Sequence, residues 1–209
     1  MTGAAGAGPA APKVSVIIPT YNAAGFIRET LASVLATDGE TPEIVVIDDG
    51  SADGTADIAE GHAGVRVHRE ANAGDSAARK LALAGGQFIV FLDHDDLLHP
   101  GAIATHLAAF AGEEGLDMVF GANLIIDSQG RVIGQNPQPH RRFSGRDVVM
   151  HTTPSFSQCM YRRSALERIG GFRPEARSSA DIDLNLRLLG WRDAGMCHGG
   201  MGMSYRHPP

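Results

Sequence analysis

Cysteine is almost missing from this chain of 209 residues: only Cys159 and Cys197 occur. Far apart in sequence, they do not form the disulfide framework of a small secreted domain and read as reduced thiols of a cytosolic protein. Neither has a cysteine or histidine at zinc-site spacing, which argues against a thiolate metal centre. Positive charge is also short, with 18 Lys and Arg against 24 Asp and Glu and a formal net charge of -6. A nucleic-acid binder needs a basic stripe to neutralise phosphates, so that class is disfavoured and any anionic ligand needs a local device. No uninterrupted apolar run approaches the roughly 20 residues of a membrane-spanning helix, and the N-terminus lacks a charged start followed by an apolar stretch. A soluble, cytoplasmic chain without a transmembrane segment is the expectation.

With 43% hydrophobic residues, the length suits one compact domain. Residues 1–12, all Gly, Ala and Pro after the first two, lack periodicity and read as a flexible tail, leaving 13–209 as the folded unit. Val14 to Pro19 is a β-branched run closed by a proline, as a buried strand should be. A helix follows in which Phe26, Ile27, Leu31 and Val34 recur at helical spacing, with Asn22 as its expected cap. Strands are predicted at 43–47, 65–68 and 88–92, and helices at 55–61 and 76–84. Such alternation means parallel βαβ units with right-handed crossovers, whose ligands bind beyond the carboxyl ends of the strands. Further on, a helix is expected at 101–110, a hairpin from 118–126 to 131–133, an irregular loop over 135–151, and helices at 164–170 and 180–189. The Gly- and Met-rich stretch 196–203 reads as a loose segment near the site, and no internal repeat is present.

The fourth strand ends in Asp93-His94-Asp95-Asp96. Burying an unpaired carboxylate costs several kcal/mol, so a cluster at a strand end sits in solvent, caps a helix or holds a cation. Asp95 or Asp96 could cap a helix beginning near His99; alternatively, Asp93 and Asp95 bracket one residue and can converge on a hard, oxygen-seeking ion such as Mg2+ or Mn2+. Polar clusters at Pro19-Thr20-Tyr21-Asn22 and Asp48-Asp49-Gly50-Ser51 fall at two other strand ends. The predicted topology sets all three along one rim, which favours a site over three separate caps.

VSVIIPTYN, VVIDDGSADGT, NAGDSAARKLALA, FIVFLDHDD, RRSALERIGGF and DIDLNLRL, in that order from Val14 onward, resemble glycosyltransferase family 2. Membership would imply a GT-A fold: one α/β domain whose mostly parallel twisted sheet is flanked by helices, with a nucleotide-sugar half over 13–100 and an acceptor half over 101–209. Carried over by motif, the resemblance implies that Pro19, Thr20 and Tyr21 flank the base and ribose, that Asp49 accepts a hydrogen bond from the base, and that Arg79 closes over the nucleotide. It assigns Asp95 as the direct metal ligand, with Asp93 nearer the ribose or sugar and His207 reaching back to the metal or diphosphate. Family members carry a Glu-Asp-x-Asp-Leu stretch whose first aspartate is the general base. Here the stretch reads Ala180-Asp181-Ile182-Asp183-Leu184, so Ala180 replaces the glutamate and Asp181 is the candidate base. The implied reaction is inverting transfer from a UDP-linked sugar, with Mn2+ or Mg2+, to a hydroxyl of a glycan, lipid-linked or small-molecule acceptor. A nucleotidyltransferase would need a lysine-bearing glycine-rich loop after the first strand, which Pro19 to Gly25 is not. A non-catalytic nucleotide-sugar binder is the other alternative, and turnover separates it from the enzyme.

Overall fold

The computed structural model describes residues 13–70, 81, 83–150 and 154–207, without the side chains of Pro174, Arg177 and Ser178. The predicted tail over 1–12, most of the predicted helix over 76–84, and Arg79 lie outside the described residues.

Strands β1 (Val14–Thr20), β2 (Glu43–Asp48), β3 (Val65–Arg69) and β4 (Phe88–Phe91) form the parallel half in the order β3-β2-β1-β4. Their apolar runs serve two cores at once. Val16, Ile18, Val46 and Val90 pack under helices α1 (Ile27–Leu35) and α3 (Ala102–Gly112). Ile17, Val45, Ile47, Ile89 and Phe91 face the opposite layer, which holds helix α6 (Ala180–Leu189). A strand buried on both faces has no polar alternation, and this is why these segments read as continuous hydrophobic runs. The short helix α2 (Thr55–Glu60) links β2 to β3.

The sheet then continues through β9 (Cys159–Arg162), antiparallel to β4, to β6 (Met118–Ile126) and β10 (Gly195–Arg206), which run parallel to each other. Strand β5 (Leu97–Leu98) ends the order, while β7 (Val132–Asn136) forms the expected hairpin with β6. The long ladders are parallel, as the α/β reading requires. Cys159 and Cys197 are both free and buried, paired on either side of Phe120. Two strand spacings, roughly 9.6 Å, separate them, too far for a disulfide.

Four expectations need correction. Asn22 does not cap α1: at φ 49 it turns between loops, and its Oδ1 accepts from Ala52 N–H at 3.0 Å. The stretch predicted as an irregular loop contains β8 (Arg141–Phe143) and helix α4 (Gly145–Met150). Residues 196–203 lie within β10, although its pairing with β6 shifts register between Cys197 and Met203. Glycine is needed there because a Cβ on Gly121 would stand 2.5 Å from the Gly200 carbonyl oxygen. The fourth correction is β9 itself, which no sequence pattern marked.

A histidine chain ties α3 to β10 behind the site. His106 Nε2 donates to the Gln158 carbonyl (3.2 Å), His198 Nε2 to His106 Nδ1 (2.7 Å), and Gly200 N–H to His198 Nδ1 (3.1 Å). Each ring nitrogen has one role, a pattern that requires both rings neutral. Burial, aided at His106 by His198 and at His198 by His140, lowers His106 to about 3 and His198 to about 4. The unfolded chain binds these protons near pH 6.5, the folded one only well below it, so this stabilisation is complete above pH 6.5 and lost as pH falls toward 4. Asp96, raised to about 7 chiefly by burial, acts oppositely over the same range. Asp93, raised likewise by burial, opposes the histidines too, so urea unfolding between pH 6.5 and 5 should show only a shallow fall in stability as the pH drops. Asp96→Asn should steepen the fall, and NMR should find both imidazoles neutral at pH 5. Titration of either ring near pH 6.5 would contradict the assignment.

Candidate active site

Three strand ends meet on one rim. After β1, Tyr21 is 52% exposed while Thr20 is buried, its hydroxyl turned inward to Asp48 Oδ1 (3.3 Å). Asp48 is buried too and accepts from Ser51 N–H at 3.1 Å, so it shapes the turn after β2 and leaves Asp49 half-exposed on the rim. The two loops are stitched together by Asn22 N–H to Ser51 Oγ (2.9 Å), Ala23 N–H to Thr55 Oγ1 (2.8 Å) and Ala24 N–H to Asp53 Oδ2 (2.9 Å). Asp53 is held below the usual carboxylate range first by the Thr55 hydroxyl and then by Ala24 N–H, as an anion with only donors around it should be. Pro19 is half-buried opposite Ile47.

The third strand end carries the carboxylates, and its backbone is held at three successive carbonyls. The Asp93 carbonyl accepts from Asp96 N–H (3.1 Å), that of His94 from Thr30 Oγ1 (2.7 Å), and that of Asp95 from Arg206 Nε (2.8 Å). Asp93 N–H donates to Ser157 Oγ at 3.1 Å. Asp96 turns inward, 1% exposed, and its Oδ1 accepts from Arg206 N–H at 2.9 Å, so it belongs to the scaffold. No helix is capped by any of these side chains: Gly101 stands at the N-cap of α3.

Asp93 is exposed and Asp95 half-exposed. Protein crowds the Asp93 carboxylate despite its access to solvent, and this burial, followed by the Asp95 charge, raises its pKa. Asp181 adds to that rise, which brings the first turn of α6 to the same place. Asp181 is half-buried, its Oδ1 near Ile182 N–H at 2.8 Å. Asp183 is instead committed to Arg187 (2.7 Å) and lies within 3.7 Å of Arg173. Arg173, Glu175, Ala176, Ser179 and Asp183 line an open groove beside this turn. Ala180, where the family glutamate would stand, opens α6 half-buried. His207 follows β10 on the exposed side, its N–H donating to the Ile126 carbonyl at 2.8 Å.

Among the described residues, no group of three or more His, Cys, Asp or Glu side chains is placed to hold a metal by itself. Two neighbouring carboxylates would suit a hard divalent ion whose shell is completed by diphosphate oxygens and water.

The sequence profile of the family described as "Glycosyl transferase family 2" matches residues 15–170. The chain belongs to glycosyltransferase family 2. It is thereby a glycosyltransferase enzyme. A PGL/p-HBAD biosynthesis glycosyltransferase of Mycobacterium bovis is 33% identical over 188 residues, covering 86% of this chain and 71% of the relative. The hyaluronan synthase of Pasteurella multocida is 29% identical over 85% of this chain but only 19% of its own length. In structure, TarS residues 1-349 of S. aureus in complex with UDP superposes with a TM-score of 0.75 at 24% identity, covering 93% of this chain and 60% of that one. That likeness establishes the GT-A fold. The chain thus spans about three fifths of the TarS fragment, and Asp181, Arg206 and His207 lie beyond the matched family span.

Sequence reasoning did not give Asp96, Ser157 or Arg206 the part they play here, which is to hold the carboxylate loop in place. The motif FIVFLDHDD signals the first as an acid without saying that it turns inward, and nothing local marks the other two.

Proposed function

We propose that the protein is a metal-dependent inverting glycosyltransferase that moves a sugar from a UDP-linked donor to a hydroxyl of a glycan, lipid-linked or small-molecule acceptor. One observation carries this reading: the carbonyls of Asp93, His94 and Asp95 are all engaged by the scaffold, the side chains of Asp93 and Asp95 stay accessible, and Asp181 lies near enough to Asp93 for its charge to be felt there. A divalent cation, Mn2+ or Mg2+, would neutralise the charge that grows on the departing diphosphate.

The chain's own groups do the rest. Tyr21, Pro19 and the half-exposed Asp49 offer the base and ribose a flat face and an acceptor, with Thr20 holding that rim from behind. Arg79 is assigned to the diphosphate side by its motif. Asp95 and Asp93 hold the cation, with His207 as a further ligand, and Asp93 lies nearer the sugar. Asp181 takes the proton of the acceptor hydroxyl as its oxygen attacks the anomeric carbon opposite the leaving group, which inverts that centre. Its place in the first turn of a helix suits a carboxylate that must remain ionised. The TarS complexes with UDP and UDP-GlcNAc support UDP as the nucleotide.

A panel of UDP-sugars, scored as released UDP with Mn2+ and with chelator, tests the reading. Turnover with at least one donor, lost on chelation, is expected. Nucleotide-sugar binding without turnover for any donor and acceptor would favour the binding-module alternative.

A further inference from the structure

Arg206 is an arginine with 3% of its surface exposed, placed at the end of β10 behind the carboxylate loop. Its contacts reach three elements: the carboxylate loop, the start of α1 and the β6–β7 turn. Toward the loop, its backbone N–H donates to Asp96 Oδ1 (2.9 Å) and its Nε to the Asp95 carbonyl (2.8 Å). Toward the nucleoside rim, Nη2 donates to Glu29 Oε2 (2.7 Å) on α1, and the guanidinium lies 5.2 Å from the ring centre of Phe26, the residue preceding α1. Nη1 donates to the carbonyls of Asp127 (3.1 Å) and Ser128 (3.4 Å) at the β6–β7 turn.

Helix α1 follows the Pro19–Asn22 loop after the turn at 23–26, and the carboxylate loop follows β4, so the guanidinium ties the helix that leads out of the nucleoside rim to the carboxylate loop. We propose that Arg206 is a positioning residue that fixes the spacing between the nucleoside pocket and the Asp93–Asp95 carboxylates. It touches neither ligand; it holds the Asp95 backbone and α1 in one frame. A planar fork with five donors reaches three backbone carbonyls and a carboxylate together, and a lysine ammonium with three donors on one atom would keep the charge but lose the span. This inference rests on the reading of Asp95 as the metal ligand given above.

The test compares the affinity of UDP with that of uridine, in Mn2+ and in EDTA, for wild type, Arg206→Met, Arg206→Lys and Glu29→Gln. Uridine reports on the nucleoside pocket alone, whereas the UDP-to-uridine ratio in Mn2+ reports on the spacing. Arg206→Met should reduce that ratio by about tenfold or more, Arg206→Lys should restore part of it, and Glu29→Gln should fall between them, while uridine affinity stays within about twofold of wild type. A residue that only supports the fold would lower the melting temperature and leave the ratio intact. If Arg206→Met does not fold, Arg206→Lys and Glu29→Gln decide. A wild-type ratio in both of these overturns the assignment of Arg206. Asp95→Ala separates the two failures: if it loses the Mn2+-dependent gain while the Arg206 and Glu29 variants keep it, only the positioning role is lost. If wild type shows no such gain, the metal reading falls and takes this inference with it.

Discussion

Asp181→Asn is expected to lower acceptor-dependent sugar transfer by roughly a hundredfold or more while UDP and metal affinity stay near wild type. Asparagine keeps the size of the side chain and a hydrogen-bonding oxygen, but cannot take a proton from an attacking hydroxyl. The neighbouring carboxylate provides the control. Asp183 is paired with Arg187 at 2.7 Å, so it is held as a structural anion, and Asp183→Asn should cost stability before it costs rate. Initial rates at saturating donor, together with thermal unfolding of both variants, check the assignment. Wild-type transfer by Asp181→Asn alongside a large loss in Asp183→Asn would place the base two residues further along the helix.

Loss of the Mn2+-dependent part of UDP binding is the result expected for Asp95→Ala, a fall of at least about tenfold in affinity when the metal is present. The fold should survive the change. The loop is held at Asp95 through the backbone carbonyl, which alanine retains, and not through the carboxylate. Calorimetric titration of UDP into wild type and variant, with Mn2+ and with EDTA, reads this directly. Equal affinities in all four titrations would remove Asp95 from the metal site. The adjacent acid should behave differently, because Asp96 is buried against Arg206 and Ser157 and its replacement acts on stability and its pH dependence.

The parallel half of the fold was legible because Ile17, Val45, Val46 and Val90 lie in β-branched runs too apolar to be anything but doubly buried strands. The α6 boundaries at Ala180 and Leu189 and the β6 boundaries at Met118 and Ile126 were legible for a related reason: apolar spacing there is regular, and Gly190 or Asp127 stops it. Strand β10 was not. Its sequence, GMCHGGMGMSYR, has low strand propensity, and its extended form comes from pairing with β6, β8 and β5, a tertiary cause without a local trace. Cys159–Arg162 escaped in the same way, being four residues long and defined by the neighbours it joins. Within the site, Asp93, Asp95 and Asp96 look alike as letters. Which of them turns inward is decided by Arg206, 110 residues further along the chain from Asp96.

That long reach bears on how the molecule comes together in time. The β1–β2 and β2–β3 pairings join segments close in sequence and can form early, at small loop-closure cost. The Arg206 to Glu29 contact closes a separation of 177 residues and requires β10 to be already docked beside β6. Contacts of such high sequence separation are the slow ones in folding. On that ground the nucleoside rim is expected to form before the carboxylate loop takes its final shape, and a refolding chain should regain its sheet before its affinity for diphosphate.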